Sequence, residues 1–396
     1  MQYHKLHRKD GTITTRVVCA VCFLAFTFFW LYEFQADVIT IAQHVLSDGA
    51  THYNRTIGAL IVTFSLFILQ LVVASVVRLT RRTHALTYFP SMLVLAFISD
   101  IDSDIDQQFT LGAWWWAAPL ALIGWGCVVF VARGMPAYES DDKVSNVFFS
   151  KCIWINLVQM VLMMLLVAFL SNTNAVFHYS AHAEVALMEG DDKEALRVGS
   201  KSLETDRRLT MLRVYALSRQ GLLAEKLFSY PIVGTSDDML PMHLSPQMMP
   251  ADSIWCHLGA RPSQPCSAQR YYEALERDSL ATPAVADYRL SGCLVDRRLD
   301  EFVALLPRYY QVADSLPLPR HYQEAACLVA HLRHIDISQM PFDPLIVSSY
   351  NDFARIMVEG QQRGTPPDVL RERVYERFHT TYFYDFYFNT YNFIEQ

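Results

Sequence analysis

Charge is scarce in this chain. Asp, Glu, Lys and Arg supply only 18% of its 396 residues, 52% are hydrophobic, and the mean hydropathy is positive. That excludes an ordinary soluble fold for at least part of the sequence, because folded surfaces are built mainly from polar and charged side chains. Positive charge is the scarcer sign: 33 basic against 40 acidic residues leave a formal charge of -7. Without a basic surface to meet phosphates, a nucleic-acid binder is excluded. Eight cysteines in so long a chain do not make a disulfide scaffold. There is no G-x-S-x-G, no P-loop and no G-x-G-x-x-G.

What the sequence does have is long uncharged runs, all before residue 172. A helix needs about 20 mostly apolar residues to cross a bilayer. Five segments are predicted to span: 17–34, 57–77, 83–101, 111–132 and 152–170. The third is short and carries Pro90, and the fifth holds Asn156 and Gln159, both tolerable in membrane helices. Lys5, Arg8, Lys9 and Arg16 precede the first span, and "RLTRRTH" (78–84) follows the second. Both are expected on the cytoplasmic side, with the acidic "SDIDSDIDQQF" loop (99–109) outside. No small-residue cleavage site follows the first span, and valine precedes both Cys19 and Cys22, so neither a cleaved signal nor a lipoprotein signal is expected. Five crossings put residues 172–396 outside. The protein is therefore expected in a bacterial inner membrane with a periplasmic C-terminal domain.

The second half reads as helical. "HYSAHAEVALMEGDDKEALRVGSKSLETDRR" (178–208) resembles a tetratricopeptide repeat: Ala183 is small, "EGDD" turns at Gly190, and Ala195 lets two helices approach. Gly221 repeats the turn 31 residues later, close to the period of such arrays. A weaker pair falls in 284–310, followed by a helical stretch at 321–334. Residues 229–283 carry seven prolines and are expected to form an irregular insertion. The expected architecture is all-α, a polytopic transmembrane bundle (1–171) followed by a tetratricopeptide-like α-solenoid (172–340) and C-terminal helices with an aromatic tail (341–396). The layout resembles an uncharacterised family of bacterial membrane proteins that combines N-terminal spans, such helices and a closing "RERVYERFHTTYFYDFYF" segment.

Candidate sites are few. A solenoid implies a protein or peptide partner on an extended surface, and His182, Glu184 and Arg213 are candidate contacts. Tyr382, Tyr384 and Phe386 belong to an aromatic run that needs burial, in its own domain, at the bilayer or against a partner. The rival is a membrane glycosyltransferase using a lipid-linked sugar, in which Glu33, Asp37, Asp100 and Asp102 supply a general base or metal ligands. Asp100, Asp102, Asp104 and Asp106 alternate, yet Ile105 stands where a calcium loop requires Gly and no Glu closes it. An acidic outer loop is the plainer reading.

Cys19 and Cys22 form a C-x-x-C in an apolar helix, with no basic neighbour to activate a thiol. Cys256 and Cys266 flank a nine-residue loop, where a disulfide and two free thiols are equally open. Cys293 and Cys327 fall in helices. Met239, Met242, His243, Met248 and Met249 would suit Cu(I), although a Met-rich loop covering a groove explains them more simply. His178 and His182, one turn apart, have no evident third ligand. No cofactor is expected. The bilayer is one partner, and the bundle is compatible with association of two or more copies.

Overall fold

The uncharged runs fold as helices because a backbone in hydrocarbon must satisfy its own hydrogen bonds. The computed structural model describes residues 2–108, 110–134, 151–310, 318–335 and 342–389, of which 2–12 by backbone alone. The candidate cytoplasmic residues Lys5, Arg8 and Lys9 therefore have no described side chains, and the last residues of the aromatic run, from 390 onward, lie outside the described residues. The chain divides into two units, Met1–His178 and Tyr179–Gln396. The described residues form helices and connecting turns, with no strand among them.

In the first unit, α1 (Gln2–Phe29) continues through a π-turn (Trp30–Phe34) into α2 (Ala36–Leu46), followed by α3 (Arg55–Val77). A 3-10 stretch (Arg81–Tyr88) leads into α4 (Phe89–Ser99), and α5 (Trp114–Gly134) and α6 (Lys151–Leu170) complete the bundle. Four helices are long and apolar enough to cross a membrane: Ile13–Phe34, Arg55–Val77, Trp114–Gly134 and Lys151–Leu170. The expected third span is not one helix. Residues 81–88 are wound as 3-10 with Thr83 out of helical geometry, and Pro90 opens α4, where its missing N–H costs nothing.

Hydrogen bonds fix how these elements run. The Arg81 guanidinium donates to the Thr15 hydroxyl at one end of α1, and the Trp30 indole donates to Ser99 Oγ at the other. Asn156 binds the Ala85 amide, and Asn172 donates to the Ile101 carbonyl. Residues 81–101 thus run parallel to α1 and to α6. Gln70 donates to Thr87, Ser91 donates to the Leu66 carbonyl, Trp125 donates to the Leu86 carbonyl and Trp114 donates to Asp100, so α3 and α5 run antiparallel to that segment.

The polarity of this unit is inverted. Thr63, Gln70, Thr87, Ser91 and Asn156 are buried between helices, while Ile57, Ile61, Phe64, Ile68, Phe130 and Phe169 are exposed. An apolar surface of that extent suits hydrocarbon, not water. The first unit has the character of a membrane protein.

The second unit contains α7 (Ala175–Glu189) from Tyr179 onward, α8 (Asp192–Arg197), α9 (Arg207–Arg219), α10 (Leu223–Lys226), α11 (Asp252–Leu258) and α12 (Ala268–Arg277). It continues with α13 (Ala284–Val295), α14 (Leu299–Tyr309), α15 (Arg320–Leu332), α16 (Pro344–Gln362), α17 (Pro367–Phe378) and α18 (Tyr382–Phe388). Six helices end in one motif, a residue at positive φ preceded and followed by 4→1 and 6→1 backbone bonds: Gly190, Gly221, Ser279, Arg297, His334 and Gly364. After Gly190, for example, the Asp191 amide donates to the Ala186 carbonyl while the Asp191 side chain caps α8.

The pairing differs from a simple array at α13. That helix is buried along most of its length, including Tyr288, Leu290 and Cys293, and packs against α9, α10, α11, α12 and α14. A repeat helix touches only its sequence neighbours. The Pro-rich 229–283 stretch supplies α11 and α12 to this core, so it is part of the packing and not an excursion from it.

Candidate functional site

The loop that joins α4 to α5 alternates Asp with Ile or Ser for a geometric reason. A turn over 103–107 brings Ile101 and Ile105 to the same side, and Ile105 is buried while Asp100, Asp102 and Asp104 stay exposed. The isoleucines face a cleft of about 910 Å3 within the first unit. One wall comes from α2 through Ile39, Ala42 and Leu46, another from α4 through Phe89, Leu93 and Phe97, and a third from α5 through Ala117 and Ala121.

The cleft exists because α5 turns its small side inward. Trp115, Trp116, Leu120 and Ile123 are exposed on the outer face, whereas alanines line the cavity. Farther along α5, Trp125 stacks on Phe89 and donates to the Leu86 carbonyl, closing the floor. Counted along α5 from Ala113 to Ala121, the cleft is about 12 Å deep.

Its mouth is polar. Asp100 accepts from the Trp114 indole at 2.7 Å, and Asp102 accepts from the Asp104 amide at 3.3 Å. Gln43, Gln108, Thr110 and Asn172 complete the rim, and no Lys, Arg or His is among its lining residues. Tyr53 also lines it, and its hydroxyl is buried without a hydrogen-bond partner. The ring reaches that position by lying on Gly58, where an added Cβ would meet it at 2.2 Å.

The carboxylates expected to act together are only partly gathered. Asp100 and Asp102 stand at the mouth, but Glu33 and Asp37 do not line the cleft. Glu33 pairs with Arg55 at 3.4 Å, and Arg55 also donates to the Tyr32 carbonyl. Asp37 sits in the first turn of α2, where a negative charge complements the helix dipole.

The candidate partner contacts in the second unit are corrected by burial. Glu184 is fully buried: its Oε1 accepts from the amides of Met248 and Met249, its Oε2 has no partner, and burial pushes its carboxyl above the usual range. Arg213 is buried too, donating to the carbonyls of Val198 and Gly199, and burial lowers its pKa to about 10. Neither group faces a partner. His182 stays half-exposed, with Nε2 at 3.5 Å from Glu194.

The Met loop is core. Met239, Met248 and Met249 are buried, Met242 is half-buried and His243 is exposed, so the five do not share one environment. Among the described residues no three His, Cys, Asp or Glu side chains gather as a metal site. His178 is held by the Asn172 carbonyl at 3.0 Å. Cys256 and Cys266 are free thiols, the first exposed and the second partly buried, so the bridge weighed for them is not made here.

The aromatic run packs into its own domain as far as it is described. Tyr382 and Phe383 are fully buried and Tyr384 nearly so. Phe383 meets Tyr350, Phe353 and Phe378 with ring centroids 4.9–6.0 Å apart, and Tyr382 meets Phe228. Arg297 lies over Phe386 and donates to the Asp385 and Asn389 carbonyls. None of Tyr382, Tyr384 and Phe386 is fully exposed. Nothing in the residue pattern points to Arg297 or Glu324, which hold this helix from 88 and 58 residues away.

A second groove of about 570 Å3 lies beside this latch and includes Arg298, Asp300, Glu301 and Arg333. Its charges are satisfied internally, since Arg298 binds Asp296 and Glu301 and Arg333 binds Asp300.

Residues 273–389 match a family of unknown function (DUF6057). The match begins within α12 and takes in every later helix through α18, so it covers the aromatic latch and not the cleft. Neither the curated proteins nor the solved structures provide a match to the chain.

Proposed function

We propose that the protein is a membrane-anchored adaptor, not an enzyme. In this reading five segments cross the bilayer, 81–101 among them, and the helical domain lies on the side opposite the N-terminus, where it takes a polypeptide partner. The observation that carries it is the alternation of direction in the first unit, with 81–101 tied to its neighbours at both ends. Eight residues of 3-10 helix at about 2.0 Å each and eleven of α-helix at about 1.5 Å reach about 32 Å, the thickness of a hydrocarbon core.

Charge supports the orientation. Arg16, Arg78, Arg81, Arg82 and Arg133 all fall at one end of the bundle and the aspartate loop at the other, as the positive-inside rule requires for a cytoplasmic N-terminus. In a bacterium this makes the second unit periplasmic. For the partner, the paired helices leave outer faces open, and Leu345, Val358 and Val369 are exposed on α16 and α17. Apolar residues exposed in this way favour a polypeptide there over the buried aromatic helix.

The test is crosslinking of the full chain in native membranes followed by mass spectrometry. A stoichiometric polypeptide lost on replacing Leu345 and Val358 by Asp supports the adaptor, and crosslinks confined to lipid count against it. The membrane glycosyltransferase reading, with a lipid-linked sugar as substrate, retains one favourable observation, Asp100 and Asp102 at the mouth of an apolar cleft. It requires that Asp102→Asn abolish a turnover while leaving the protein folded.

A further inference from the structure

We propose that the cleft between α2, α4 and α5 is a binding site for a bilayer lipid. One hydrocarbon chain lies along the alanine face of α5, and an amine-bearing, zwitterionic head group meets Asp100 and Asp102.

Three observations lead there. First, the cavity lies within the apolar part of the chain, and its wall continues into surface that only hydrocarbon can cover. Phe97 and Leu166 line the cleft and are each 39% exposed. Its depth of about 12 Å is most of one leaflet, half of a core about 30 Å thick. Second, the space is built and not left over. Small residues on a membrane helix normally let its neighbours close in, but over Ala117 and Ala121 of α5 no helix closes and a cleft remains, while Leu120 and Ile123 point outward. The volume falls in the range of ligand pockets, about 300–1,000 Å3. Third, the polar groups converge only at the mouth, at the level of Trp115 and Trp116, and tryptophan marks the head-group region. There the buried Tyr53 hydroxyl has no partner and offers a donor or acceptor to a lipid glycerol or ester oxygen.

The head group follows from charge. Asp100 and Asp102 line the rim, Asp104 and Asp106 follow, and no cation is among the lining residues. Arg55, the cation at the start of α3, is engaged by Glu33 and the Tyr32 carbonyl. A purely anionic head group would be repelled. An ammonium would pair with the carboxylates, and its phosphate would stay toward water. This differs from what the glycosyltransferase reading requires, because a polyprenyl phosphate is anionic.

The test uses the full chain reconstituted in vesicles of equal parts phosphatidylethanolamine and phosphatidylglycerol, re-extracted gently, with retained lipid quantified by mass spectrometry. The wild type is expected to retain phosphatidylethanolamine above its bulk ratio. Ala117→Trp, or the smaller Ala121→Leu where Trp impairs folding, fills the cleft and should cut retained lipid by about tenfold or to background. Leu120→Trp on the outer face should leave it unchanged. Asp102→Asn should keep the lipid but abolish the head-group preference. Equal retention by wild type and both cleft-filling variants, each checked for an unchanged melting temperature, would overturn the site. Enrichment of phosphatidylglycerol would overturn the head-group assignment. Neither outcome bears on the polypeptide partner, which is scored separately by crosslinking.

Discussion

The Glu324 carboxylate on α15 accepts a hydrogen bond from the backbone amide of Tyr382, the first residue of α18, at 2.8 Å. The same oxygen accepts from His321 Nδ1 at 2.9 Å, and the other oxygen accepts from Arg320 at 2.8 Å. His321 Nε2 in turn accepts from the Phe228 amide, which fixes the tautomer. A buried carboxylate thus serves as the socket for the aromatic helix, and Thr381 caps it beside the socket.

Glu324→Ala would leave the Tyr382 amide and the His321 Nδ1–H buried without acceptors. Each unsatisfied buried donor costs about 1–3 kcal/mol. For a domain of this size we expect a drop of about 4–24 °C in melting temperature and early proteolytic release of the C-terminal segment. Scanning fluorimetry and limited proteolysis read both. Glu324→Gln keeps one acceptor and should fall between; a variant indistinguishable from wild type would refute the socket.

Two carboxyls should give the second unit an acid-favoured stability term. Burial raises Glu184, and it pushes Asp385 up to about 6 against the pull of Asn389 and Arg297. The folded state therefore holds these protons more tightly than the unfolded chain, whose carboxyls titrate near about 4. Their contribution is full below that range and is lost as the pH rises through the folded value. Melting temperature measured from pH 4 to pH 8 should show this loss for wild type, and a flatter curve for Asp385→Asn and Glu184→Gln. A steeper curve in the variants would contradict the assignment.

Asn156 is fully buried, accepts from the Ala85 amide at 2.7 Å and donates to the Arg81 carbonyl at 2.9 Å. Replacing it with Leu orphans both groups at the start of the 3-10 stretch. In membrane bundles such bonds average about 0.6 kcal/mol with a maximum near 1.7, so the expected loss in detergent is one to a few degrees. Leu at the neighbouring exposed Val158 is the control and should change nothing.

Thiol labelling reads both burial and sidedness. Burial pushes the Cys293 and Cys327 thiols up to about 12, while Cys256 is exposed. A membrane-impermeant maleimide added to intact cells should modify Cys256 rapidly, Cys266 more slowly, and Cys293 and Cys327 only after denaturation. Labelling of Cys256 only after cell lysis would put the helical domain in the cytoplasm and remove 81–101 as a crossing.

Hydropathy made the four long spans readable, since nothing but run length is needed to see them. The 3-10 winding of 81–88 was not readable, because it depends on Asn156, 71 residues away from Ala85. The turns at Gly190 and Gly221 were visible because positive φ favours glycine, but Arg297 and His334 adopt the same turn without advertising it. Sequence alone puts Glu184 and Arg213 on the surface, because charged residues usually lie there. They bind mainly backbone groups, which carry no sequence signature. The cleft was invisible for a related reason: alanines facing inward on α5 look the same in sequence as alanines facing lipid.

The bond between Ala85 and Asn156 also sets an order of events in biogenesis. Residues 81–99 are synthesised before Lys151–Leu170, so the Ala85 amide and the Arg81 carbonyl have no Asn156 to bind until α6 follows. A later helix is thus the key that completes an earlier one, since only α6 brings Asn156 to the start of the 3-10 stretch.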